Sequence, residues 1–196
     1  MSEDTLFSIA LGHVLKMEGG YNDIKEDKGG ATNYGISLRF LQSLPEDLGD
    51  IDGDGDIDKD DIKNISLDNV YEIYKTMFWD KYVARIDLST NFHTSTRDNL
   101  KLVLFDMYVN HSPRAVNRML QRAVNACRKK SSHLLVEDGL WGRQSSAALN
   151  QVESLECLMT AIRSERHAYY RELVLRDDSQ KKFLKGWRKR ALEIIK

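Results

Sequence analysis

Glu18 is followed by Gly19-Gly20-Tyr21 and then by Asp27, Gly29-Gly30, Thr32 and Gly35. The apolar stripe Leu6, Ile9, Ala10, Val14 and Met17 predicts a helix that stops where Gly19 and Gly20 supply a left-handed cap. Glu18 then stands at the carboxyl end of that helix. The unsatisfied carbonyls there carry partial negative charge and favour the protonated acid. Cleavage of a glycosidic bond needs such a proton donor for the leaving oxygen. It also needs a second group that activates water or stabilises developing positive charge. Asp27 and Thr32, on the adjoining Gly-rich segment, can fill that second role. By residue type alone, Glu18 can equally be an exposed helix-end residue, with Asp27 and Thr32 as turn formers.

A second constellation is the run Asp50 to Asp61, which fits the twelve-residue calcium loop position by position. Asp50, Asp52 and Asp54 offer oxygens at positions one, three and five, and Gly55 at six permits the sharp turn. Asp56 offers its backbone carbonyl, Asp58 can act through water, Ile57 is the apolar anchor, and Asp61 stands where a bidentate Glu is usual. From Glu46 to Asp61 there are nine acids and one base, Lys59. Carboxylates so crowded repel one another without a cation, although a solvated acidic turn is the bland alternative. Pro45 leaves little entering helix and no second loop exists to pair with, so the expected role of Ca²⁺ is a structural clip.

The elements that must position these groups are mostly helical. Two prolines and twelve glycines in 196 residues leave few breaks. The run Thr32-Asn33-Tyr34-Gly35 suits a short hairpin, and helical spacing resumes from Ile36 to Leu44 before Pro45. Ser66 can cap a helix burying Leu67, Val70, Tyr71, Tyr74, Met77 and Phe78. Leu100 to Val109 reads as a buried helix, and Ser112-Pro113 opens another carrying Val116, Met119, Leu120, Ala123, Val124 and Cys127. Ser145 to Leu149, Leu155 to Leu175 and Phe183 to Ile195 complete the set. Cys127 and Cys157 lack metal-ligand spacing, and each sits in a helical stretch, so two buried free thiols are expected.

The formal net charge of −1 gives no case for a dedicated nucleic-acid binder. No segment has the ~18 uninterrupted apolar residues of a membrane span, and none reads as a cleavable signal. Lys181 to Arg190 carries six bases and no acid; it can attract an anionic envelope, but more often such a run is a solvated face. Trp79, Trp141 and Trp187 could stack on sugars, yet each lies beside apolar helix residues and is expected in the core. The five His lack metal or triad context. A nucleophile elbow, a phosphate-cradling loop and a Cys-rich zinc pattern are absent.

The segment Glu18-Gly19-Gly20-Tyr21, Asp27, Gly29-Gly30, Thr32-Asn33, Gly35-Ile36-Ser37 resembles the signature of the phage and bacterial N-acetylmuramidases of glycoside hydrolase family 108, the endolysin-type lysozymes. The resemblance continues through Tyr74, Phe78-Trp79, Phe105-Asp106, Val109-Asn110, Leu120-Gln121 and Ala123-Val124. Asp138-Gly139-Leu140-Trp141-Gly142, Ala147 to Asn150, Arg163, Arg166, Tyr169-Tyr170, Phe183-Leu184, Gly186-Trp187 and Arg190 are similar to the peptidoglycan-binding module that follows in this family.

The resemblance implies a mainly α, lysozyme-like fold with a small hairpin near the active site. Its catalytic region is expected over 1–95, including the loop at 50–61, and a helical wall-binding region over 96–196, packed as one unit. It implies cleavage between N-acetylmuramic acid and N-acetylglucosamine in bacterial peptidoglycan, with Glu18 as proton donor, Asp27 as base or electrostatic stabiliser and Thr32 positioning water. Asn33 is the rival of Thr32, because the wider phage-lysozyme group has its Thr one position nearer the glycine. Tyr21, Asn33 and Tyr34 are the candidate substrate-binding residues. A monomer with no stable membrane insertion is expected, held in a host cytoplasm until a separate pore former (a holin) lets it reach the wall. A lytic transglycosylase and a non-catalytic, calcium-dependent wall-binding protein are the competing readings.

Overall fold

Ser2 opens the chain's first helix, α1 (Glu3–Met17): its Oγ accepts from the Thr5 amide at 3.2 Å, and Glu3 and Asp4 lie in the first turn, where the helix dipole favours acids. Leu6, Phe7, Ala10, Leu11 and Val14 form its buried face. The computed structural model describes residues 1–18, 20–22, 30–88, 93–128 and 133–193. Gly19 therefore lies outside the described residues, and Gly20 is not left-handed. At the helix end Glu18 turns to extended backbone (φ −90°, ψ 138°) while its N–H still donates to the Val14 carbonyl.

Two short strands, β1 (Thr32–Asn33) and β2 (Ile36–Ser37), pair antiparallel with Thr32 opposite Ser37 and Asn33 opposite Ile36. The two residues between them, Tyr34 (φ 50°) and Gly35 (φ 79°), are both left-handed. That combination gives the tight two-residue turn whose twist matches the flanking strands. The hairpin takes up Ile36-Ser37, so the expected helix is only α2 (Leu38–Leu41), capped by Ser37. A single turn, α3 (Glu46–Gly49), leads into the acidic loop, which exits through α4 (Lys59–Asn64).

Ser66 and Asn69 form a reciprocal capping box at the start of α5 (Leu67–Tyr74). The chain then continues in wider π-helical turns over Lys75–Val83. Trp79 on this stretch is fully buried, in edge contact with Phe7, and its indole N–H donates to Glu3 at 3.0 Å. It is a core residue, as its apolar neighbours suggested.

The chain divides into two compact units, Met1–Lys81 and Tyr82–Lys196. The second unit is built from α6 (Thr94–Asn110), α7 (Pro113–Ala126), α8 (Arg143–Leu149), α9 (Leu155–Arg176), a 3₁₀ turn at Asp178–Phe183 and α10 (Leu184–Glu193). Its core holds a charged cluster: buried Asp106 accepts from Arg166 at 2.8 Å and from Arg190 at 2.7 Å. The Tyr170 hydroxyl lies 3.2 Å from both Arg166 Nη2 and His111 Nε2. Arg166 is fully buried and Arg190 largely so, and the one buried carboxylate offsets their charge. Trp187 stacks on Tyr170 with ring centroids 5.3 Å apart.

The expectation of two free thiols is corrected here. Cys127, the C-cap of α7, and Cys157, in the first turn of α9, form a disulfide with Cα atoms 5.9 Å apart. Cys127 is half-buried and Cys157 exposed. Periodicity places each cysteine on its own helix but says nothing of which helix ends meet; the packing of α7 against α9 decides that. Among the described residues, no helix is long and apolar enough to cross a membrane.

Candidate active site

Glu18, at the end of α1, is half-buried against the hairpin turn. A Cβ placed on Gly35 would lie 2.7 Å from Glu18 Cγ and 2.8 Å from the Tyr74 hydroxyl oxygen. Only a glycine lets the turn approach so closely, and only a glycine holds φ 79° without strain. Tyr74, buried on α5, donates its hydroxyl to the Tyr34 carbonyl at 3.0 Å. Around Gly35 three elements thus come together: the stop of α1, the β1–β2 turn and the aromatic face of α5.

Thr32 is half-buried, its hydroxyl donating to the Gly30 carbonyl at 3.3 Å. Its backbone exchanges two 2.8 Å hydrogen bonds with Asn22, which adds a one-residue third rung beside β1. Tyr21, next to that rung, is 45% exposed and available to a ligand. Tyr34 is half-buried at the turn itself. Asn33 is buried, and its side-chain N–H donates to the Ile62 carbonyl in α4 at 3.1 Å. This bond ties the hairpin to the exit of the acidic loop. Asp27 lies outside the described residues. The position of Tyr74 beside the turn was not read from the sequence, where it stood as one of several aromatics on a buried helix face and as one of the positions shared with the family.

The acidic loop is folded around its own carboxylates. Asp50 accepts from the Gly53 and Gly55 amides, and Asp54 from the Asp56 amide. Asp61 is buried and accepts from the Ile51 and Asp58 amides at 2.7 Å each, while Asp58 caps α4. Gly53 and Gly55 are left-handed. Ligand atoms of Asp50, Asp52 and Asp54 all lie within 4.8 Å of one another, as do those of Asp56, Asp58 and Asp61. Burial and the neighbouring Asp54 and Asp61 push the Asp52 carboxyl up; Asp54 and burial do the same to Asp56. An all-oxygen, highly anionic donor set of this kind fits a hard divalent cation.

These features define a helical glycosidase-type domain with a hairpin over one carboxyl, followed by a second helical unit. The match to known families agrees. Residues 11–112, just over half of the chain, match the family model described as Glycosyl hydrolase 108, and residues 115–192 match the one described as Predicted Peptidoglycan domain. The chain belongs to glycosyl hydrolase family 108 and is a glycoside hydrolase acting on peptidoglycan. No curated protein matches it significantly. Among solved structures, SagA from Brucella abortus is similar at 24% identity over 96% of this chain and 94% of that one, with a TM-score of 0.62, and shares the fold.

Proposed function

We propose that the protein is an endolysin-type N-acetylmuramidase, with Glu18 as general acid. The observation that carries this reading is the seating of Glu18 against the Tyr34-Gly35 turn, which Tyr74 holds through its hydrogen bond to the Tyr34 carbonyl. In the proposed reaction the Glu18 carboxyl proton passes to the bridging oxygen as the muramic acid C1–O bond breaks. Positive charge develops on the sugar, and a water, oriented by Thr32 and losing its proton to Asp27, supplies the oxygen at C1. Preorganisation matters because a carboxyl held in place costs no reordering at the transition state.

We also propose that the loop at 50–61 binds Ca²⁺ as a structural clip, supported by its two carboxylate triplets and by the left-handed Gly55 at the sixth position. When bound, the ion supplies charge neutralisation rather than a reacting group.

Muropeptide mass spectrometry on purified walls tests the enzymatic reading. Hydrolysis yields reducing muramic acid ends, whereas an anhydro sugar would show a transglycosylase and no release at all a binding protein. Glu18→Gln is expected to keep the melting temperature and lose at least a hundredfold of wall-clearing rate, the low end of ~10²–10⁴ for a general acid. Undiminished clearing would remove Glu18 from the role.

A further inference from the structure

Between α7 and α8 the chain runs from His133 to Trp141 without regular secondary structure. A backbone of that kind has lost its ladder partners and must find others. Here α7 supplies them. Arg114 donates to the Asp138 carbonyl, Asn117 to Gly139 and Arg118 to Glu137, and Arg128, just past the helix end, donates to His133. Gln121 donates to the Leu140 carbonyl at 2.9 Å and accepts from the Gly139 amide at 2.9 Å. Asn125 brackets Leu135 in the same way, donating to its carbonyl at 3.0 Å and accepting from its amide at 2.8 Å. Positions 114, 117–118, 121 and 125 fall on one helical stripe, so a polar face of α7 acts as a template along which the segment is pinned. Gly139 is part of the fit: its φ is 77°, and a Cβ there would meet the Arg114 carbonyl oxygen at 2.5 Å.

With its backbone satisfied from one side, the segment turns large apolar side chains outward. Leu134, Val136 and Leu140 are 69%, 77% and 67% exposed. Rigid, exposed apolar groups beside polar ones mark a recognition surface. Val136, Asp138, Leu140, Trp141, Arg143 and Gln144 line a cavity of about 550 Å³ at this place, the size of a small-ligand pocket.

We infer that the segment Leu134–Gln144 is the wall-recognition site of the second unit and that its ligand is the glycan of peptidoglycan. The inference deepens the function proposed above and rests on it for the ligand class. Amphiphilic chemistry selects a saccharide: N-acetylated sugars present apolar C–H faces and methyl groups to Val136, Leu140 and the indole of Trp141. Their hydroxyl and amide edges meet Asp138, Gln144 and Arg143. A preorganised strip loses little entropy on binding, which suits a repeating and weakly featured polymer.

The test is retention of the full chain on insoluble purified walls. Val136→Ser with Leu140→Ser, both at exposed positions, is expected to weaken retention about tenfold with an unchanged melting temperature. Full retention by the folded double variant would overturn the inference. As a second measurement, a soluble chito-oligosaccharide titrated into the isotopically labelled wild type should shift amide resonances within 134–144. Shifts produced there only by a free stem peptide, or no shifts at all, would overturn it as well. Release of reducing ends from soluble wall fragments by the wild type, measured in parallel, reports on the enzymatic reading separately.

Discussion

The Cγ atom of Glu18 and the α-carbon of Gly35 face each other so closely that a single methyl group on Gly35 would sit 2.7 Å from the glutamate. The side chain proposed as the general acid and the backbone of the turn are therefore closely packed. Gly35→Ala should strain the turn at φ 79° and displace the carboxyl. A cost of about 1–3 kcal/mol in stability follows from the left-handed backbone. Wall clearing measured well below the melting temperature should fall further than the folded fraction does, and activity that merely tracks folding would show that Glu18 tolerates displacement.

Calcium is expected to raise the melting temperature, and excess chelator to lower it by several degrees. Because Asn33 in the hairpin bonds to Ile62, the residue after Asp61, a loosened loop is expected to disturb the hairpin beside Glu18. Activity should therefore fall with chelator in parallel with the melting curve. Asp54→Asn should respond to chelator less than the wild type; a wild-type melting curve that chelator leaves in place would count against the clip.

His111 carries a specific pH dependence. Burial, followed by the nearby Arg166 charge, lowers its ring to about 4, with Arg190 acting in the same sense and Asp106 opposing. The rings of Tyr169 and Tyr170 pack against it. In the unfolded chain the ring takes up its proton near ~6.5. Between the two values the unfolded state binds more protons, so the stability from a neutral His111 is complete above the higher value and is lost as the pH falls toward the lower one. The full difference corresponds to roughly 3 kcal/mol. Urea melts between these limits should show that slope, and His111→Gln should flatten it.

Reduction of Cys127–Cys157 should destabilise the second unit. The cysteines are 30 residues apart in sequence. Closing a loop of that length is worth about 3.5 kcal/mol of chain entropy. Denaturation with and without reductant, or with Cys157→Ser, measures it; coincident curves would mean that α7–α9 packing alone holds the unit.

What the sequence alone determined is local. Ser66 and Ser112-Pro113 announced their helices because a cap needs only its own hydroxyl and the next three amides. Tyr34-Gly35 announced a hairpin, since a two-residue turn demands left-handed backbone within itself. The mainly helical class followed from apolar spacing, and the family from a motif at fixed offsets.

Everything that joins distant residues was decided by packing. Periodicity put Cys127 and Cys157 on helices but could not bring the end of α7 to the start of α9. The family resemblance gave Asn33 as a candidate beside Glu18, and the fold bonds its amide to the Ile62 carbonyl. Periodicity marked Tyr74 as one apolar-face aromatic among several, and only the approach of α5 to the hairpin set its hydroxyl beside Glu18. The polar stripe of α7 likewise reads as a solvated face until the 133–141 backbone is laid along it. Caps and turns close through a few neighbouring bonds and are written in short stretches of chain. A contact across scores of residues exists only once every intervening element has found its place.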